Sequence, residues 1–160
     1  ASRLPLPHDR VVRGIAVLSR AAGPSGMVGG QVLDLSMEGT AAGAGRVREM
    51  YAMKTGALFQ AAARLGAILA GASQEIEDAA GEWGSLFGYA YQVLDDLEDL
   101  EQSDKEQEKD TLAKETSPTE ARLEAKQALE RALILLGQFE GPAELALGLT
   151  ERYVKRASQA

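Results

Sequence analysis

The sequence predicts an all-α chain, on three observations. Apolar residues recur at helical spacing almost from end to end, the breaks fall where glycine, proline and serine cluster, and no stretch shows the period of two that a strand needs. The pattern divides into six helices at about 9–22, 27–37, 44–70, 74–101, 118–138 and 142–157. Gly23-Pro24-Ser25-Gly26 separates the first two, and Gly71-Ala-Ser73 separates the two longest. Ser117-Pro-Thr-Glu120 reads as a capping box with proline at the first helical position, and Gly141-Pro142 opens the last helix in a similar way. A loop is expected at about 101–116.

Composition bounds what such a chain can be. A length of 160 residues makes one domain, expected to span 1–160, and 45% hydrophobic residues are enough for a real core. Cysteine is absent, which removes disulfides, thiolate catalysis and cysteine-ligated metals. No apolar run reaches the roughly 18 residues of a membrane span, and Ala1-Ser-Arg-Leu-Pro-Leu-Pro-His lacks the apolar stretch of a secretory signal, so a soluble cytoplasmic protein is expected. The net charge of -7 is concentrated: residues 95–110 hold nine acidic side chains against Lys105 and Lys109, and carry -7 by themselves. That balance argues against nucleic acid as a partner, which needs a basic footprint, and gives the chain an acidic mouth that attracts cations. Glu101 to Glu108 read as a solvated loop.

The acidic run begins within a helix, as Gln92-Val-Leu-Asp95-Asp96-Leu-Glu-Asp99. Residues three and four apart share a helical face, so Gln92, Asp95, Asp96 and Asp99 project together, with Val93, Leu94, Leu97 and Leu100 on the other side. Carboxylates gathered against their own repulsion suit a hard cation such as Mg²⁺, which keeps several waters and usually also binds a substrate phosphate. An acidic, solvated helix end would look the same. Two further features allow two readings each. Along 44–70 the apolar stripe runs Val47, Met50, Lys54, Ala57/Leu58, Ala61, Leu65 and Ile68, so Lys54 occupies an interior position; it either has a buried partner or snorkels to the surface. Gly84, Ser85 and Gly88 lie above the carboxylates and either leave room for a ligand or let helices pack closely.

Three segments taken together resemble a family. Gly26-Met-Val-Gly29-Gly30-Gln31-Val-Leu-Asp34-Leu, then Lys54-Thr55-Gly56-Ala-Leu-Phe, then Phe87-Gly-Tyr-Ala-Tyr91-Gln92-Val-Leu-Asp95-Asp96-Leu-Glu-Asp99 resemble, in that order, the C-terminal half of trans-isoprenyl diphosphate synthases. The likeness is greatest to the short-chain type that makes farnesyl or geranylgeranyl diphosphate. It implies that Asp95, Asp96 and Asp99 are the second aspartate-rich motif, holding one of three Mg²⁺ ions that bridge an allylic diphosphate. It implies that Lys54 and Thr55 contact that diphosphate, that Gln92 lines the substrate site, and that Gln31 and Asp34 orient Lys54. Lys54 and Asp95 would then be catalytic, since both favour the departing pyrophosphate. Lys109, and less directly Lys105, stand where the family has a further lysine beyond the motif. The implied substrates are isopentenyl diphosphate and an allylic prenyl diphosphate. DDLED with GGQ and KTG resembles chain elongation, whereas terpene cyclases mix Asn, Ser or Thr with Glu in their second metal motif.

The departures shape the functional expectation. The family fold is about twice this length, and its first aspartate-rich motif lies on an earlier helix with no match in this chain. Glu75-Ile-Glu77-Asp78 reads as an ordinary first-turn acidic patch favoured by the helix dipole. The basic site for isopentenyl diphosphate is also missing. The chain is therefore expected to be part of a prenyltransferase, inactive or incomplete alone and completed by a homo-oligomer or a complementing N-terminal half. The alternatives are a non-catalytic prenyltransferase-like subunit and a helical interaction module. A half-fold is also expected to leave apolar faces uncovered, notably around Leu58, Leu65, Leu86, Phe87 and Leu94.

Overall fold

Helical spacing in the sequence becomes helix along most of the described chain. The computed structural model describes residues 6–40, 42–102, 111–137 and 143–159. In order, α1 is His8–Ala22, α2 Met27–Met37, α3 Ala44–Tyr51, α4 Ala57–Ala70, α5 Gln74–Gln102, α6 Leu112–Glu115, α7 Pro118–Leu136 and α8 Glu144–Ser158. Strands are absent among the described residues. The expected single helix over 44–70 is α3 and α4 joined without a break through a π-helical turn, Ala52–Gly56. The one-turn α6 lies inside the expected loop.

The punctuation acts as the sequence implies at most ends. Ser117 caps α7: its hydroxyl accepts from the Glu120 N–H at 3.1 Å and donates to the Glu120 carboxylate at 3.0 Å, with Pro118 as the first helical residue. Gly71 closes α4 in the left-handed conformation, φ 78°, that residues with a Cβ avoid. The expected start of the last helix at Gly141-Pro142, and Lys105 and Lys109, lie outside the described residues.

Helix α5 is the axis of the fold. It packs along α4 and α7, while α1 lies on α4 and α8 on α7. Its inner face supplies Phe87, Ala90, Val93, Leu94 and Leu97, all buried, to a core shared with Val47, Met50 and Tyr51 of α3 and Leu129 of α7. Phe87 sits among aromatic rings, with centroids 5.6 Å from Phe59, 5.6 Å from Trp83 and 4.9 Å from Tyr153. Trp83 also donates to the Thr150 hydroxyl at 3.0 Å, which ties α5 to α8.

Two expectations need correction, and one choice left open is settled. Phe87 and Leu94 are 2% and 1% exposed, because α7 and α8 cover the face that the half-fold argument left bare. Uncovered apolar side chains instead gather on α1 and α2, where Val12, Ile15, Val32 and Leu35 are each more than half exposed, with Leu123, Ile134 and Leu145 exposed singly on α7 and α8. The space at Gly84 and Gly88 is taken by helix packing: a Cβ on Gly84 would lie 2.5 Å from the Phe59 carbonyl, and one on Gly88 2.8 Å from the Phe59 Cβ. Finally, Glu77 is no solvated first-turn acid. It is 1% exposed and paired with Arg13 of α1 at 2.5 Å, while Asp78 meets Arg64 at 3.3 Å. A charge at that depth needs its partner, so the pair ties α1, which lies on α4, to the first turn of α5.

Candidate functional site

The site is built where α2, the π turn and the C-terminal half of α5 meet. Gly30 allows the first contact, since a Cβ there would fall 2.3 Å from the Lys54 nitrogen. One helical turn further along α2, Asp34 then reaches Lys54, whose ammonium lies 2.5 Å from its carboxylate. Of the two readings left open for Lys54, each holds in part: its side chain is 32% exposed, yet it reaches the partly buried Asp34. The π turn supplies the reason, because a turn closed by i→i+5 bonds takes in an extra residue and shifts the register of side chains across it. Gln31 lies exposed on α2 and its side chain makes no hydrogen bond among the described residues, so nothing in the geometry links it to Lys54.

Thr55, beside Lys54 in the π turn, connects to α5. Its hydroxyl donates to Gln92 Oε1 at 2.7 Å, and Gln92 Nε2 donates to Asp96 Oδ1 at 3.0 Å. The other Asp96 oxygen accepts from the Tyr51 hydroxyl. The Tyr51 oxygen in turn accepts the Leu112 N–H at 3.1 Å. The two motifs that sequence order puts far apart thus form one network, Thr55–Gln92–Asp96–Tyr51, with Lys54 and Asp34 at its edge. Burial pushes the Tyr51 hydroxyl well above the usual phenol range, and the Asp96 charge adds to this, so Tyr51 remains a donor at neutral pH.

The remaining carboxylates divide between the faces of α5. Asp95 is half-buried and Asp99 exposed, one turn apart on the side of Gln92 and Asp96. Glu98 points away to Arg156 of α8, whose hydrogen bond holds it below the usual carboxylate range. Arg156 also feels the charge of Asp95, so α8 lends the cluster a positive neighbour. The oxygen-only donor set fits Mg²⁺ rather than a softer metal. Among the described residues, no three carboxylates converge closely enough to hold a metal ion by themselves.

Sequence reasoning did not find Tyr51, the π turn, or the bidentate Arg48–Glu124 pair, which Tyr89 joins by donating to Glu124 at 2.8 Å. Tyr51 carried one usable signal: a ring beside Met50 on a buried stripe has a polar tip that must find a partner. No helix among the described residues is long and apolar enough to cross a membrane.

Comparison with known proteins bears on the family and the fold. The polyprenyl synthetase family model matches residues 3–138. A dimethylallyltranstransferase of Fischerella ambigua is 34% identical, over 94% of this chain and 47% of its own length. An FPP/GFPP synthase from Zymomonas mobilis, in its apo structure, superposes with a TM-score of 0.82 at 28% identity, over 92% of this chain and 52% of that one. A geranyltransferase from Helicobacter pylori, complexed with magnesium and isoprenyl diphosphate, shares the fold with a TM-score of 0.73 at 23% identity, over 96% of this chain and 52% of that one. The chain thus spans about half the length of these relatives. On the order of its motifs, its helical fold and these matches, the chain belongs to the polyprenyl synthetase family.

Proposed function

We propose that this chain is the diphosphate-binding C-terminal part of a Mg²⁺-dependent prenyltransferase that condenses isopentenyl diphosphate with an allylic diphosphate, acting in the cytoplasm and incomplete by itself. The observation that supports it most is the Thr55–Gln92–Asp96 chain of hydrogen bonds, which joins the Lys-Thr pair to the aspartate motif. Lys54 sits beside that chain, paired among the described residues with Asp34. A second reading, a non-catalytic subunit that serves a full-length partner, is favoured by the bare apolar faces of α1 and α2.

The residues divide the work as follows. Asp34 keeps the Lys54 ammonium in place until an anion arrives, and Lys54 then turns part of its hydrogen-bonding capacity to a diphosphate oxygen. Thr55 is fixed by Gln92 and presents its side of the π turn to the same anion. Gln92 is fixed at both ends, by Thr55 and Asp96, so it needs no reorganisation when substrate binds. Asp95 and Asp99, with Asp96 beside them, would hold the Mg²⁺. When bound, that ion would offset charge on the diphosphate as the allylic C–O bond weakens. The family resemblance gives Lys109, and less directly Lys105, a part in binding the same group. The carbocation requires a dry cavity, and this chain supplies one wall of it.

Calorimetric titration of pyrophosphate with and without Mg²⁺ tests the reading. Mg²⁺ should tighten pyrophosphate binding and, by linkage, pyrophosphate should tighten Mg²⁺ binding equally. Asp95→Asn should abolish the coupling and Lys54→Ala should weaken pyrophosphate binding, while Glu106→Gln should change neither. No coupling in the unmodified chain, or equal loss in the Glu106 variant, would show the cluster to be only an acidic helix end.

A further inference from the structure

Tyr51 belongs to none of the three motifs, yet it touches the aspartate cluster from within the protein. Its ring is 1% exposed and packs in the core shared by α3, α5 and α7. Its hydroxyl is used twice: it donates to Asp96 Oδ2 and accepts the Leu112 N–H at 3.1 Å. Leu112 is the first residue of α6 and is itself 1% exposed, so this N–H has no access to water. Thr111, at the cap position, makes no side-chain hydrogen bond to α6 among the described residues, and its own hydroxyl is buried without a partner there. The phenol oxygen thus takes the place of a local cap. Asp96 is consequently gripped from two directions, by Gln92 on its own helix and by Tyr51 from α3.

We propose that Tyr51 is a positioning residue of the diphosphate site, holding Asp96 in the orientation that cation-assisted diphosphate binding uses and tying that orientation to the start of α6. The inference rests on the proposed Mg²⁺-diphosphate function and adds a residue outside its motifs. A carboxylate with both oxygens accepting from fixed donors has little freedom to rotate. Without the Tyr51 hydroxyl, Asp96 loses the donor that reaches it from α3, and the Leu112 N–H is left buried and unpaired, a costly state. Loosening on the metal face and loosening of α6 should therefore appear together.

The test compares four forms of the 160-residue chain: unmodified, Tyr51→Phe, Asp96→Asn and the double variant. Tyr89→Phe serves as a control, since it removes a hydroxyl of the same kind that donates to Glu124 instead. Pyrophosphate is titrated calorimetrically with and without Mg²⁺. Tyr51→Phe should weaken Mg²⁺-supported binding about tenfold while leaving metal-free binding unchanged, and should add nothing in the Asp96→Asn background. Leu112 amide exchange should accelerate at least about tenfold in Tyr51→Phe, as the amide loses its acceptor. Tyr89→Phe should alter neither quantity. A measurement without any variant guards against a folding failure: Mg²⁺ with pyrophosphate should shift the Leu112 amide resonance of the unmodified chain, which it reaches through Tyr51. Intact coupling in Tyr51→Phe, equal loss in Tyr89→Phe, or a Leu112 resonance that ignores Mg²⁺-pyrophosphate overturns the role of Tyr51 alone. Absence of coupling in the unmodified chain overturns the diphosphate function and this inference with it.

Discussion

The two sides of the molecule differ in how far they satisfy themselves. Around α5 nearly every group has its partner within the chain: Phe87 lies among three aromatic rings, Glu77 meets Arg13, and Asp96 is held by Gln92 and Tyr51. On α1 and α2 the opposite holds. Val28, Val32 and Leu35 recur at i, i+4 and i+7 along one side of α2, and Val11, Ile15 and Leu18 do the same on α1, all facing solvent. An amphipathic stripe of that width normally buries itself, so on the proposed reading this is the side that a partner would cover. The α5 side satisfies its groups within the chain, whereas the α1–α2 side leaves its stripe exposed.

That contrast breaks most visibly in an activity assay. With isopentenyl and allylic diphosphates and Mg²⁺, the 160-residue chain should turn over orders of magnitude below an intact synthase, since it spans about half the length of its relatives and contains no match to the first aspartate-rich motif that the family resemblance implies. Turnover near that of an intact enzyme, with no other polypeptide present, would place the missing groups within these residues after all.

The next effect is on stability. Phe87→Ala should cost about 3–5 kcal/mol, the usual range for removing a fully buried ring, and should lower the thermal midpoint correspondingly. A loss under about 1 kcal/mol would mean that the α5 core is loosely packed. A pH effect should be smaller. Hydrogen bonding to Arg48 holds Glu124 below the usual carboxylate range, with Tyr89 adding to the shift. A depressed folded-state value means that the unfolded chain takes up the proton first. This stabilisation is therefore complete above the ordinary glutamate value of about 4.3 and is lost as pH falls through the lower folded value. The loss should be on the order of 1 kcal/mol, because both partners are partly solvated. Acid-titrated unfolding of Glu124→Gln should lack that component.

The smallest stability effect should fall on the bare face, where it sharpens the comparison. Ile15→Ser and Val32→Ser should each change stability by no more than about 0.5 kcal/mol. Light scattering should nonetheless show the unmodified chain self-associating at micromolar concentration, and the double variant moving toward the 17.0 kDa monomer. A unmodified chain that is already monomeric would mean the exposed stripes need no cover.

The sequence by itself determined the helical class, helix ends such as the Ser117–Glu120 box, and the composition of the candidate site, because these depend on local spacing and side-chain chemistry. Gln92, Asp96 and Thr55 could be named from motif order, but their contact could not, since it joins residues 37 positions apart across two helices. Tertiary structure alone decided that Lys54 leaves the apolar stripe, because the π turn shifts register where local periodicity reads a regular helix. It decided that Glu77 is buried, because Arg13 of a distant helix meets it there, and that Gly84 and Gly88 serve packing, because Phe59 fills the space above them. It also decided which apolar faces are covered. Periodicity shows that a helix has an apolar side, whereas the partner that hides it comes from the whole arrangement, so Phe87 is in the core and Val32 is not.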